Sequence, residues 1–339
     1  MKCIVIEKPG SVSLTERELP ALKKNFARIR VKAAAICATD LEVIDGRIAA
    51  NYPLIPGHEW SGVVAEVENP DHRHWIGKRV TGSNDVFCGT CEACRSGNWR
   101  YCKSFEEIGF KQPGAYAEYI DVPAAGLVEL PDALPFAHAA LAEPMGVALG
   151  VWEKAEPKFG KTCLIYGAGS IGLSCLCVAK AMGMRQIIVA AHSDDRLQIA
   201  KDLGADHVIA TRDQDIFELV RKLHPDGTDY IIEATGMETC IANSLKLCRK
   251  GGTVVLAGYG RGKQMSIRMD DIHINNLKVI GAGNNWNQHK NAVTFMQDKQ
   301  LNMDLLITDR LSLEEFETGI SHARTRPAGF VKAVFTFDD

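Results

Sequence analysis

Four cysteines lie close together in the first third of the chain: Cys88, Cys91, Cys94 and Cys102. Thiolates separated by such short loops can wrap one zinc ion in a tetrahedron, and a closed all-sulfur set leaves no position open for a substrate. The spacing therefore predicts a structural zinc site. A zinc knuckle for nucleic acid is the alternative, but the intervening residues are only mildly basic and the net charge of the chain is −3.

A second set of metal-binding residue types is scattered along the sequence: Cys37, His58, Glu59 and Glu143. Each residue alone has an ordinary interpretation, as a small core residue, a turn histidine or a surface acid. Together they offer one thiolate, one imidazole and two carboxylates, a mixed set that suits a catalytic zinc with room for water or substrate. The spacing alone leaves open whether they converge.

A glycine-rich turn with the pattern G-x-G-x-x-G follows an apolar run and precedes a helical one. Its first glycine permits a tight turn, its second lets a phosphate approach the backbone, and its third lets the helix pack on the strand. The helix N-terminus supplies N–H groups to a pyrophosphate. The predicted dinucleotide-binding residues of this turn are Gly167, Gly169, Ser170, Ile171 and Gly172. A glycine-rich turn without a ligand is the alternative.

The next strand lacks the acid that usually selects NAD. Asp or Glu normally lies about 20 residues after the turn and binds the ribose 2′-hydroxyl, but in this chain that position is Ala191. The absence of this acid favours NADP(H), or use of both coenzymes. The residues expected to bind the 2′-phosphate are His192, Ser193 and Arg196. Alternatively, Asp194 or Asp195 reaches the ribose and the coenzyme is NAD.

The composition is that of a soluble globular protein, with 46% hydrophobic and 24% charged residues in 339. At about 100–200 residues per domain, this length predicts two domains. The small net charge gives no reason to expect a nucleic-acid or membrane partner. The N-terminal apolar run is too short for a signal peptide, so we expect a reducing cytoplasm, with the cysteines as thiols or metal ligands.

The elements that position these residues change in type along the chain. Short strands and loops dominate the first third, whereas strands and helices alternate from Thr162 onward, which predicts a parallel, doubly wound sheet. The predicted strands are Thr162–Tyr166, Gln186–Ala191, His207–Ala210, Asp229–Ala234, Thr253–Ala257 and Leu277–Gly281. The predicted helices include Ile171–Met182, Asp194–Leu203, Ile216–Leu223, Glu238–Leu247 and Leu313–Arg324. The apolar stretch Cys163–Met184 could also span a bilayer, but its glycine pattern favours strand, turn and helix.

Over essentially its full length the sequence resembles the zinc-containing medium-chain alcohol/polyol dehydrogenases. The resemblance also rests on three short elements besides the cysteine set and the glycine turn. They are C-x-T-D at Cys37–Asp40, G-H-E at Gly57–Glu59 and A-E-P at Ala142–Pro144. The E-A-T-G segment at Glu233–Gly236 adds Thr235 as a coenzyme-binding residue. Glu143 stands where classical alcohol dehydrogenases have a cysteine as the third zinc ligand, so the chain most resembles the sorbitol, threonine and cyclitol dehydrogenase branch of the family. Other segments are similar to deoxy-inosamine dehydrogenases.

The resemblance implies a GroES-like, mostly-β catalytic domain (residues 1–146 and 286–339) with an inserted Rossmann domain (147–285). It implies Cys37, His58 and Glu143 as catalytic zinc ligands, Glu59 as an inner or alternating ligand, and a second, structural zinc. Thr39 would relay a proton, and Asp40 would orient a ligand. The implied reaction is hydride transfer between NAD(P) and a secondary alcohol of a polyol, cyclitol or sugar acid, in a homodimer or homotetramer.

Two other functions remain open. One is a zinc-independent quinone or enone reductase of the same fold, and the other is a non-catalytic dinucleotide sensor or zinc-dependent interaction protein. The sequence encodes the substrate pocket poorly. Asp85 stands where threonine dehydrogenases carry an active-site histidine, which weakens the case for an amino-acid substrate. Residues that could line the pocket are Trp60, Phe110, Lys111, Asn284 and Asn285.

Overall fold

The computed structural model describes residues 1–282, 288–298 and 301–337. The chain forms two compact units. The first comprises Met1–Glu143, Val293–Gln297 and Ile307–Asp339, and the second comprises Pro144–Ala292 and Asp298–Leu306.

The N-terminal part of the first unit is built mostly from strands. Its strands are β1 (Lys2–Lys8), β2 (Ser11–Glu16), β3 (Phe26–Ala35), β4 (Glu59–Val67), β5 (Arg79–Gly82), β6 (Asp85–Val86), β7 (Glu106–Glu107), β8 (Tyr119–Pro123) and β9 (Leu127–Glu129). Its helices are α1 (Ala38–Ile44), α2 (Glu92–Arg95) and α3 (Phe136–Ala139). β3 is buried along almost its whole length, as expected of a central strand with neighbours on both edges.

From residue 142 the chain alternates between helices and strands. The helices are α4 (Ala142–Ala155), α5 (Ser170–Ala181), α6 (Asp194–Asp202), α7 (Ile216–Leu223), α8 (Glu238–Leu247), α9 (Met269–His273) and α10 (Gln288–Asp298). The strands are β10 (Thr162–Tyr166), β11 (Gln186–Ala191), β12 (His207–Ala210), β13 (Thr228–Glu233), β14 (Cys248–Leu256) and β15 (Lys278–Gly281).

These six strands form one parallel sheet with the order β12-β11-β10-β13-β14-β15. This is the doubly wound order of dinucleotide-binding domains, and it confirms the predicted Rossmann sheet. The apolar stretch at 163–184 divides into β10 and α5. Among the helices of the described residues, none has the length and apolar character needed to cross a membrane.

The C-terminal segment returns to the β-rich unit. It adds β16 (Asp309–Leu311), α11 (Phe316–Thr325) and β17 (Ala333–Thr336). β17 pairs antiparallel with β3, so both ends of the chain contribute to a seven-stranded sheet with the order β16-β17-β3-β4-β5-β9, and β8 also pairs with β3. Tyr116 and Phe335 meet edge-to-face in its core, with ring centroids 5.1 Å apart. The smaller pairs β1–β2 and β6–β7 complete this unit.

The cysteines outside the two metal-binding sets are packing residues. Cys240 is half-buried, and the buried ones are Cys3, Cys163, Cys175, Cys177 and Cys248. Burial raises the pKa of the Cys177 and Cys248 thiols to about 12. They stay protonated at neutral pH and behave as small hydrophobic groups.

Candidate metal centres and dinucleotide turn

Three neighbouring strands position the mixed metal set. In the antiparallel pairing of β3 with β4, Ala35 lies opposite Glu59, and β17 pairs with the same end of β3. Cys37 follows β3, His58 directly precedes β4, and Lys332 directly precedes β17. The sheet register therefore brings residues that are distant in sequence to one end of the sheet.

The ligand atoms of Cys37, His58 and Glu59 all lie within 4.8 Å of one another. A sulfur, an imidazole nitrogen and a carboxylate oxygen are donors that zinc accepts, so these residues fit the metal that the sequence predicts. Glu143 lies outside this tight group. Desolvation raises the pKa of the Glu143 carboxyl to about 7, and the nearby charge of Glu59 adds to the rise. A carboxyl group that titrates near neutral pH loses its proton at little cost when a cation binds.

Asp40 fixes the orientation of the histidine. Its Oδ1 lies 3.0 Å from His58 Nδ1, while its Oδ2 accepts hydrogen bonds from the Cys37 N–H (2.8 Å) and the Tyr116 hydroxyl (2.5 Å). Burial opposes the charge on Asp40, but the charge of His58 and these hydrogen bonds hold the pKa of Asp40 below its ordinary value. A proton on Nδ1 that faces Asp40 leaves Nε2 available as the ligand nitrogen.

A glycine is required immediately before His58. Gly57 has a φ of +100°, and a Cβ there would overlap the Tyr116 ring. Because Tyr116 also donates to Asp40, the glycine lets the tyrosine pack under the histidine loop. The G-H-E element thus combines a backbone requirement with two candidate ligands.

Lys332 is a site residue that sequence reasoning missed. Its Nζ lies 2.6 Å from both carboxylate oxygens of Glu59 and 3.4 Å from the carbonyl oxygen of Ile36. Both charged side chains are buried, and removal of either would leave an unpaired buried charge. Glu59 therefore has a cationic partner within the protein. A lysine before a short apolar strand does not indicate in the sequence that it forms this ion pair. The ion pair depends on the position of β17 beside β3 in the sheet.

Thr39 lies beside the metal set on the first turn of α1. Its hydroxyl oxygen is 3.4 Å from the Cys37 sulfur. The residue is half-buried, so its hydroxyl can contact both the site and water. This placement suits a group that moves a proton.

The four-cysteine set is assembled as a cluster. The sulfur–sulfur distances are 3.8 Å for Cys88–Cys94, 3.4 Å for Cys91–Cys94 and 3.6 Å for Cys88–Cys102. A zinc ion with bonds of about 2.3 Å to four sulfurs separates them by about 3.8 Å. The spacing is too long for disulfides, whose sulfurs lie about 2.05 Å apart. The cluster therefore fits a closed zinc site.

Asp85, the first residue of β6, binds residues of this cysteine lobe. It is buried and accepts hydrogen bonds from Trp99 Nε1 (3.2 Å) and Arg100 Nη1 (3.4 Å), and both donors lie between Cys94 and Cys102. The adjacent Asn84 donates to the carbonyl oxygen of His58 and accepts from Trp60 Nε1. Asp85 thus contacts the cysteine lobe.

The residues suggested for the substrate pocket have different environments. Trp60 is buried and belongs to the packing of the sheet. Phe110 lies against the His58 ring, with centroids 5.2 Å apart, whereas Lys111 is exposed. Asn284 and Asn285 lie outside the described residues.

The glycine-rich turn joins β10 to α5 in the form that a dinucleotide requires. Gly167 has a φ of +106°, and a Cβ there would lie 2.9 Å from the Thr235 methyl group. A Cβ at Gly172 would overlap the carbonyl oxygen of Gly167. At Gly169, by contrast, a Cβ would meet no heavy atom within 4 Å among the described residues. That open space above the N-terminus of α5, whose first residues are Ser170 and Ile171, fits a phosphate group.

The E-A-T-G segment supports this turn from the neighbouring strand. Glu233, at the end of β13, is fully buried and accepts hydrogen bonds from the Thr235 N–H (2.8 Å), its hydroxyl, and the Gly236 N–H. Burial nevertheless raises the pKa of Glu233. The Thr235 hydroxyl serves this local network, and its methyl group faces Gly167.

Comparison with known proteins identifies the class. Residues 23–132 match a family model described as an alcohol dehydrogenase GroES-like domain, and residues 170–298 match one described as a zinc-binding dehydrogenase. The chain is 30% identical to an L-threonine 3-dehydrogenase of Chelativorans sp. (strain BNC1) over 98% of both proteins. It is 33% identical to an erythritol/L-threitol dehydrogenase of Mycolicibacterium smegmatis, covering 94% of this chain and 93% of that one.

Solved structures agree with the fold. A Sinorhizobium meliloti 1021 structure bound to NADP has a TM-score of 0.93 at 29% identity over 99% of both chains. An alcohol dehydrogenase of E. coli CFT073 complexed with NADH has a TM-score of 0.92 at 28% identity over the same shares. The chain therefore belongs to the zinc-containing medium-chain alcohol and polyol dehydrogenase family. The expected GroES-like and Rossmann folds and the NAD(P)-dependent oxidoreductase function are confirmed.

We expect Cys102→Ser to remove the ion of the cysteine lobe, because three sulfurs cannot close the tetrahedron. Elemental analysis of the purified protein should show a loss of about one zinc per chain. Cys248→Ser, a change to a buried thiol outside the lobe, should retain the full zinc content. An unchanged zinc content in Cys102→Ser contradicts the assignment.

Gly169→Ala should weaken coenzyme binding and leave the protein folded, because the added methyl group occupies the space open to phosphate. We expect the dissociation constant of NAD(P)H, measured by fluorescence titration, to rise at least about tenfold. Gly281→Ala, where a Cβ likewise meets no heavy atom within 4 Å in the described part of the chain, is the matched control and should bind normally. Equal affinity in both variants rules out a phosphate against Gly169.

Proposed function

We propose that this protein oxidises a secondary alcohol of a polyol, cyclitol or sugar acid, or reduces the corresponding ketone, with NAD(P) and about two zinc ions per chain. The convergence of Cys37, His58 and Glu59 within 4.8 Å carries the proposal. A zinc-independent reductase needs no such set of metal-binding side chains. The relatives named as polyol dehydrogenases support the same substrate class.

In the proposed mechanism, a bound zinc ion would supply a positive charge that lowers the pKa of the substrate hydroxyl, and a bound nicotinamide would supply the acceptor for the hydride of the alcohol carbon. Cys37, His58 and Glu143 would hold the metal, and Asp40 would keep a proton on His58 Nδ1. Glu59, paired with Lys332, would act as an inner or alternating ligand.

The proton of the substrate hydroxyl leaves through Thr39 Oγ1, which passes it toward water. The carbon–hydrogen bond of the alcohol carbon would break, and its electron pair would move with the hydrogen to a bound coenzyme. The products are a ketone, a reduced coenzyme and one proton, and the reverse reaction consumes them. Thr39 therefore serves both directions of the reaction.

For the coenzyme we infer a preference for NADP(H), because Ala191 supplies no carboxylate to repel a 2′-phosphate. The related structures were solved with NADP in one case and NADH in another, so similarity does not decide the choice.

We further infer a homodimer or homotetramer. β15 is an edge strand of the parallel sheet, with backbone groups able to pair with a second copy. The preceding segment exposes several large apolar side chains, at Tyr259, Ile267, Met269 and Ile274. Such apolar surface beside an open sheet edge supports self-association.

The roles of Cys37 and Thr39 are separable by mutation. Cys37→Ser should lose catalytic zinc and abolish turnover while the dissociation constant of NAD(P)H stays unchanged, because the dinucleotide turn lies elsewhere in the chain. Thr39→Val should keep the zinc and lower kcat by about a hundredfold or more, the usual contribution of a positioned proton-transfer group. Full activity of a verified zinc-free enzyme contradicts the mechanism.

The substrate class is tested by a screen of polyols, cyclitols and sugar acids with both coenzymes. We expect oxidation of at least one member of these classes, with the higher kcat/KM for NADP. A strong preference for NAD overturns the coenzyme inference alone. Reduction of quinones or enones that persists after zinc removal, without alcohol oxidation, supports the reductase alternative instead.

A further inference from the structure

The turn after β12 lies beside the strand end that selects the coenzyme. β11 and β12 are parallel neighbours, with Ala191 opposite Ala210. The Thr211 N–H donates to the Ala191 carbonyl oxygen at 2.9 Å. The next residue, Arg212, therefore lies close to the position where an NAD-selecting acid would bind the ribose 2′-hydroxyl.

Arg212 forms ion pairs with two aspartates. Its Nη2 lies 2.9 Å from Asp194 Oδ2 and 2.8 Å from Asp213 Oδ2. The three side chains are 48%, 63% and 60% exposed, in the order Arg212, Asp194 and Asp213. Ion pairs this exposed add little stability, because solvent screens the two charges. A stronger anion can therefore replace one of these carboxylates at small cost.

These contacts bear on whether Asp194 can bind the ribose of NAD. Asp194 is one of the two acids that could do so in place of the carboxylate that is absent at Ala191. Its Oδ2 accepts a hydrogen bond from Arg212, so the guanidinium already balances part of the negative charge that could bind a ribose hydroxyl. The same contact holds the guanidinium at the first residue of α6, next to Ser193. Asp194, which could favour NAD, thus positions the Arg212 guanidinium, which favours the 2′-phosphate of NADP.

Other groups around Arg212 suit the same ligand. Ser193 is the N-cap of the nine-residue helix α6, and its side chain makes no capping hydrogen bond within the described residues, so its hydroxyl is free to donate. The N-terminus of α6 adds a partial positive charge. His192 is exposed and close enough to Asp213 to contribute to its lowered pKa. Arg196 lies on the first turns of α6, as does the exposed Asp195.

We propose that Arg212 binds the 2′-phosphate of NADP(H) and exchanges its ion pair with Asp194 for that phosphate, together with the Ser193 hydroxyl. A guanidinium binds phosphate through paired, charge-assisted hydrogen bonds, which are stronger than its exposed pair with one carboxylate. This inference rests on the proposed NADP preference and adds to it a residue from the neighbouring strand that the pattern after β11 does not include.

Binding of two adenine nucleotides tests the proposal without catalysis or zinc. Calorimetry compares 2′,5′-ADP, which carries the 2′-phosphate, with 5′-AMP, which lacks it. In Arg212→Ala we expect the dissociation constant of 2′,5′-ADP to rise about tenfold or more, while that of 5′-AMP stays unchanged. Arg212→Lys should be intermediate, because an ammonium keeps the charge and loses the paired geometry. Lys222→Ala, an exposed cation on α7, is the control and should change neither constant.

A second variant tests the exchange of partners. Asp194→Ala removes the carboxylate that competes for Arg212, so 2′,5′-ADP should bind more tightly than to the wild type, with 5′-AMP again unaffected. The proposal is overturned if Arg212→Ala weakens both nucleotides equally or neither. It is also overturned if wild-type protein binds 5′-AMP as tightly as 2′,5′-ADP. Failure of the proposed function is a separate result, in which the nucleotides bind as expected and no alcohol is oxidised with either coenzyme.

Discussion

Buried charge is the constraint on which the catalytic half of this protein depends. Glu59 and Lys332 are both almost inaccessible to water, and the Lys332 Nζ lies 2.6 Å from the Glu59 carboxylate. A buried ion pair adds little net stability, but loss of one member leaves a charge whose desolvation costs several kcal/mol. The pairing therefore favours one register of β17 beside β3, in which Lys332 reaches Glu59 at the start of β4. Cys37 and His58 lie at the same end of the sheet because β3 pairs with β4.

Asp40 extends this constraint to the orientation of the ligands. It is fully buried and satisfies its charge through the histidine ring, a tyrosine hydroxyl and the Cys37 amide. Each of these partners is thereby held in place before any metal binds. Preorganisation of this kind is what a metal site needs from the groups behind its ligands. The cysteine lobe is connected to the same region, since Asp85 binds the lobe and Asn84 binds the histidine loop.

The bounds of most elements in the region of alternating strands and helices were readily predicted from sequence. Others, such as β14 and the C-terminal helix α11, were predicted less accurately. β11, β12, α7 and α8 have the predicted bounds because apolar runs and turn residues mark them locally. β14 begins at Cys248, five residues before the predicted Thr253. Its pairing with β13 is irregular between these two residues. The predicted helix at Leu313 starts as a 3₁₀ turn capped by Ser312, and α11 proper begins at Phe316.

The sequence by itself determined the residue types and their local geometry: the closely spaced cysteines, the glycine turn, and the missing acid at Ala191. These features can be recognised in the sequence because each depends on only a few neighbouring residues, through loop length or backbone conformation. Only the tertiary structure decided which distant groups meet. Lys332 reaches Glu59 across 273 residues, and Arg212 reaches Asp194 from the next strand. Such pairs follow from sheet register, which depends on the packing of whole strands and leaves no local pattern at either residue.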